Sequence, residues 1–72
     1  MTKRTIEAGQ HFRRIRLGAR GHPREAEWIV EAVQMDAQGI RHARLVNAAD
    51  PTERKTLAAD VLTDPSRFEE VV

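Results

Sequence analysis

The sequence predicts a small all-β domain of five strands, with one short helical turn near residues 59–62. Three observations predict it. The chain has 72 residues, enough for one core and no second. Its strongest apolar run, residues 28–46 (WIVEAVQMDAQGIRHARLV), reads as a hairpin turning on Asp36-Ala37-Gln38-Gly39. Turn-forming stretches at residues 18–23 (GARGHP) and 47–53 (NAADPTE) then cut the rest into strand-length pieces.

Residues 1–7 are polar and are expected to form a flexible N-terminus, with the folded domain spanning residues 8–72. Ala8-Gly9-Gln10 reads as a turn into the first strand, residues 11–17 (HFRRIRL). Strict alternation joins Phe12 with Arg14 and not with Ile15. Either a β-bulge lies between the two apolar residues, or the Arg14 stem packs along the surface.

The second strand, around residues 28–33, has a helical rival. Glu, Ala, Gln and Met in residues 25–36 are good helix formers, and Trp28, Ile29, Ala32 and Val33 would share one helical face. Against this, Val30 and Met35 leave that stripe, and Trp-Ile-Val favours a strand. The turn decides for the strand. Asp-Ala-Gln-Gly suits a type I turn with glycine in the left-handed position and a bulge after it. The third strand follows at residues 40–46 (IRHARLV). Counting through the turn pairs Val33 with Ala43 and puts Ile29 and Leu45 on the same, core-facing side. Glu31 and Arg41 interrupt that face and Asn47 closes it. Trp28, Val30, Ile40 and Val46 then mix with Gln34, His42 and Arg44 on the other.

Residues 47–53 carry the same ambiguity. Asp50-Pro51-Thr52-Glu53 would cap a helix over residues 51–62, lining up Leu57, Ala58, Val61 and Leu62. The β reading has a turn at Asp50-Pro51 and a short strand at residues 54–58. A helical turn at residues 59–62 and a last strand at residues 67–72 complete it. Thr63-Asp64-Pro65 ends any helix under both readings. In the β reading the order is strand, long loop, strand, tight turn, strand, turn, strand, helical turn, strand. That is the order of an SH3-like barrel.

The chain also resembles small uncharacterised bacterial and phage proteins with an SH3-like barrel. The pieces that carry the likeness are Gly9-Gln10 before Phe12, the strand at residues 28–33, and Gly39-Ile40 leading into His42-Ala43-Arg44-Leu45. Lys55-Thr56-Leu57-Ala58, Val61-Leu62, Phe68 and Val71-Val72 complete it. The resemblance supports the β reading and implies no activity and no site residues. The chain departs from peptide-binding SH3 domains and from aromatic-cage readers of methylated cations. It has no Tyr, and Phe12, Trp28 and Phe68 are its whole aromatic complement.

Composition narrows the function. With no cysteine, disulfides and thiolate metal sites are excluded, and a reducing cytoplasm is the expected setting. No apolar run reaches the roughly 18 residues of a membrane helix, and no membrane partner is expected. His11, His22 and His42 show no metal-ligand spacing, so no metal and no other cofactor are expected. Ser66 is the sole serine and no base accompanies it in a known motif. Gly18-Ala19-Arg20-Gly21 lacks phosphate-loop spacing. An enzyme is therefore not expected, and no small-molecule substrate is inferred.

Charge gives the positive hint. Residues 1–25 hold seven basic and two acidic side chains, a net of +5, whereas residues 26–72 hold five basic and nine acidic, a net of −4. A polarised domain steers a polyanion onto one face. Arg13, Arg14 and Arg16 on the first strand, with Arg20 and Arg24 in the following loop, are the candidate site. Guanidinium forks pair well with phosphate oxygens. The expected function is a non-enzymatic binding module making weak, backbone-directed contact with nucleic acid or a nucleic-acid-bound complex. The alternative is a protein-interaction or structural module of a larger bacterial or phage assembly.

Overall fold

The computed structural model describes residues 5–15 and 25–72. Within them the chain forms β1 (His11–Arg14), β2 (Glu27–Met35), β3 (Arg41–Asn47), β4 (Asp50–Ala58), the helical turn α1 (Ala59–Leu62) and β5 (Phe68–Val71). All strands belong to one sheet in the order β4-β3-β2-β1-β5, with every pairing antiparallel. The fold is therefore all-β, and the helical readings of residues 25–36 and 51–62 fall away. The sheet does not close into a barrel by hydrogen bonds, because β4 and β5 are its two free edges.

The hairpin forms as its turn chemistry dictates. Gly39 takes φ +82°, a left-handed conformation that a side chain would strain. The Gly39 N–H donates to the Asp36 carbonyl at 3.0 Å, and the Asp36 N–H donates to the Ile40 carbonyl at 2.9 Å. The Asp36 carboxylate accepts from the Gln38 and Ile40 N–H groups at 2.8 and 3.0 Å. Val33 pairs with Ala43 as counted.

The faces differ from the count, and the cause is one residue. The β2–β3 register shifts between Val30 and Ala32, so Glu31 is an extra residue in β2. A bulge reverses the alternation of everything beyond it. Before Glu31 the buried members are Trp28 and Val30, and after it Val33 packs on the core. Ile29, expected on the core face with Leu45, is only half-buried, and Leu45 pairs with Val30. The mixed pattern of both faces is thus two clean halves in opposite phase. The bulge has a second use: the Val30 carbonyl accepts from Gly9 N–H and the Val30 N–H donates to the Gln10 carbonyl, both at 2.8 Å. Gly9 takes φ +95° in the expected turn before β1.

The core is Ile6, Phe12, Trp28, Val30, Ala43, Leu45, Ala59, Leu62 and Phe68. Ile6 is 1% exposed, and Arg41 Nη2 donates to its carbonyl at 3.0 Å, so packed chain begins before residue 8. Residues 1–4 lie outside the described residues.

Two further segments depart from expectation. β1 ends at Arg14 and pairs without a shift, so no bulge separates Phe12 from Ile15. Ile15 is buried from beyond the strand end, where its N–H donates to the Arg67 carbonyl at 2.7 Å. β4 begins at Asp50 rather than residue 54, and its turn is the tighter Ala48-Ala49. Asn47 enables this tighter turn. Its side-chain carbonyl accepts from Ala49 N–H at 2.9 Å, and its amide reaches Glu53 at 3.2 Å. Pro51 is tolerated because β4 is an edge strand with a register shift at that end.

Candidate functional site

The open seam between β4 and β5 forms a groove of about 350 Å³. It is lined by Arg14 and Ile15, Lys55 and Leu57, Val61, and Ser66-Arg67-Phe68. Four local devices assemble it. Strand alternation puts Lys55 and Leu57 on one side of β4. The β1–β5 pairing sets Arg14 opposite Phe68, and the Ile15–Arg67 hydrogen bond extends that pairing by one step. α1 contributes Val61. The turn before β5 is held by Asp64, whose carboxylate accepts from Ser66 N–H at 2.9 Å and Ser66 Oγ at 2.7 Å. The Asp64 carbonyl accepts from Arg67 and Phe68 N–H at 3.0 and 3.1 Å, delivering Phe68 to the core and leaving Arg67 at the rim.

The groove thus carries three cations over an apolar floor of Ile15, Leu57, Val61 and Phe68. Lys55 is central. Its Nζ lies 4.1 Å from the Trp28 ring centroid and 5.9 Å from that of Phe68. Burial pushes its pKa below 10.5, and the neighbouring Arg14 charge pushes it the same way, while Glu53 and Glu25 oppose. Arg67 contacts Asp64 at 3.4 Å, and these hydrogen bonds together with Arg67 hold the Asp64 pKa below 3.8. Arg14 has no carboxylate within ion-pair distance among the described residues and is exposed. Trp28 is 7% exposed and roofed by Lys55, so its ring is scaffold, not a free stacking platform.

The five arginines singled out from the sequence divide. Arg14 is in the groove. Arg13 points to the opposite face of β1, where Glu27 and Glu69 flank it at 3.9 and 3.8 Å. Its Nε is buried without a hydrogen-bond partner. Arg16, Arg20 and Arg24 lie outside the described residues. Sequence reasoning missed Lys55 and Arg67 because they sit in the net-acidic later part of the chain. The signal was the strand order itself, since pairing the last strand with the first brings residue 67 beside residue 14.

His11 and His42 go elsewhere, and His22 lies outside the described residues. His11 Nδ1 hydrogen-bonds Glu27, and His42 Nε2 lies 2.9 Å from Asp36 at the hairpin turn. Among the described residues no three His, Asp or Glu side chains converge as a metal site. A second cavity, of about 380 Å³, lies where the hairpin tip meets α1, between Ile6, Ile40, Arg41 and Asp60. Arg41, its one cation among the described residues, is engaged with the Ile6 carbonyl. No helix among the described residues is long and apolar enough to cross a membrane.

No protein-family model, no curated protein and no solved structure matches this chain.

Proposed function

We propose that the protein is a small non-enzymatic binding module of SH3-like build that holds nucleic acid by its phosphate backbone, weakly and with little sequence preference. One observation carries this reading: Arg14, Lys55 and Arg67, from three separate parts of the chain, line a single groove. Bringing like charges together costs energy in the free protein: burial is the main cause of the depressed Lys55 pKa, and the Arg14 charge adds to it. A polyanion relieves that repulsion. Arginine forks and a lysine point charge are the usual phosphate contacts, and each phosphate neutralised releases counterions. The absence of an exposed aromatic ring from the groove fits low sequence preference.

Filter binding to single- and double-stranded DNA and RNA at two salt concentrations tests the reading. Retention at low salt that falls steeply at high salt is expected. Equal, negligible retention of all four at low salt contradicts it. A protein-interaction role has one supporting observation of its own. β4 is a nine-residue edge strand with a neighbour on one side only, a geometry that accepts a partner strand. Pro51, Glu53, Arg54 and Lys55 on that edge discourage such pairing. A stable dimer in solution at low salt, with no oligonucleotide retained, would favour the protein-interaction role.

A further inference from the structure

We infer that the seam between β4 and β5 takes single-stranded nucleic acid in preference to a duplex, an inference that rests on the phosphate-binding reading above. The groove is not a flat basic patch. Arg14 and Arg67 are exposed and Lys55 half-buried, and the same groove is lined by the half-buried Leu57 and Val61 and the buried Ile15 and Phe68. A duplex hides its base faces in the stack and offers only phosphate and groove edges. Laid over this floor, its phosphates would lose water against aliphatic carbon and gain nothing from it. A single strand can turn one unstacked base inward. That base would cover Leu57 and Val61 while the phosphates on either side meet Arg14, Lys55 and Arg67. Charge and apolar area are then satisfied together.

The seam has the right place for this, because β4 and β5 are the free edges of the sheet and neither closes over it. Lys55 gives a built-in reporter. Its Nζ sits 4.1 Å from the only tryptophan ring in the chain and also lines the groove. A phosphate that draws Lys55 outward changes what covers Trp28, and so changes its emission.

The test is an anisotropy titration with labelled oligothymidylate, with a duplex of the same length, and with inorganic polyphosphate as competitor, following Trp28 emission in parallel. The single strand is expected to bind at least about fivefold more tightly than the duplex, the effect of covering about 40 Å² of aliphatic surface at about 25 cal/mol per Å². Polyphosphate should compete well at low salt and poorly at high salt. Val61→Ala should weaken single-strand binding and leave duplex and polyphosphate binding unchanged, with circular dichroism confirming the fold. Equal affinity for duplex and single strand, or no effect of Val61→Ala on any ligand, overturns the inference while leaving a phosphate-binding module in place. Failure of every nucleic acid to bind overturns that reading and this inference together.

Discussion

The two faces of β1 treat adjacent arginines in opposite ways. Arg13 lies between Glu27 and Glu69, partly buried, its charge opposed on both sides. Arg14 opens into the seam with Lys55 and Arg67, where the nearest charges include cations. The same side chain is therefore a cross-strand tie on one face and a candidate ligand contact on the other. What separates them is the β2 and β5 residues each meets: Glu27 and Glu69 sit on the Arg13 side, and Phe68 on the Arg14 side. A count of basic residues does not locate a phosphate site. The proposed site rests instead on a cation that lies outside ion-pair distance of the described carboxylates.

The largest effect that would disturb both faces together is on Phe12, fully buried and on the Arg14 side of β1. Phe12→Ala should cost about 3–5 kcal/mol. That is comparable with the whole stability of a small domain, about 5 kcal/mol at the low end. Urea denaturation should show a largely unfolded chain, with binding lost alongside the fold. Replacing Arg14, Lys55 and Arg67 together by Ala should leave the fold intact by circular dichroism. It should also weaken oligonucleotide binding about a hundredfold or more at low salt, since charge-assisted hydrogen bonds contribute about 1.5–3 kcal/mol each. Retained binding in that variant would move the site away from the seam.

The third effect is smaller and falls on stability alone. Arg13→Met removes a cation whose ion contacts are long and partly solvated, so a loss of about 1 kcal/mol or less is expected. Chemical denaturation measures it, and a loss of several kcal/mol would make Arg13 a buried structural charge instead. Lys55 supplies a pH signature. Its folded pKa lies below 10.5, so the folded state disfavours its proton. Between the lowered pKa and 10.5 the unfolded chain binds more protons, and stability should rise with pH in that window. Urea midpoints should show a rise in the native chain that Lys55→Met lacks. The smallest effect is at Asp64. Its folded pKa is below 3.8, so its contribution is present above 3.8 and is lost as pH falls through the folded value. Asp64→Asn should flatten the acid limb of the melting-temperature profile slightly, without changing the alkaline limb.

Much of the fold was legible because turn chemistry is local. Asp36 and Gly39 set the hairpin and its register, and Thr63-Asp64-Pro65 stopped the helical turn at Leu62. The faces of β2 were not legible. The bulge at Glu31 lies beside Val30, whose backbone pairs with the Gly9–Gln10 turn, and no local pattern signals either feature. The length of β4 was hidden for a related reason. Asp50-Pro51-Thr52-Glu53 has the residues of a helix start, and Asp50 does bond Thr52 N–H and Oγ1, yet the pairing with β3 wins. The site was half legible. Arg14 was one of five arginines named together from the sequence, and Lys55 and Arg67 line its groove only through strand order. Arg13 leaves it for a reason visible only in the β1–β2 and β1–β5 pairings.

The most direct measurement is the salt dependence of oligonucleotide binding for Arg13→Ala and Arg14→Ala, set beside the native chain. If Arg14 neutralises one phosphate of a single strand, its loss should reduce the slope of log K against log salt by about 0.7. Arg13→Ala should leave that slope unchanged. Equal reductions in the two variants, or a larger one for Arg13, would contradict the division of labour between the two faces of β1.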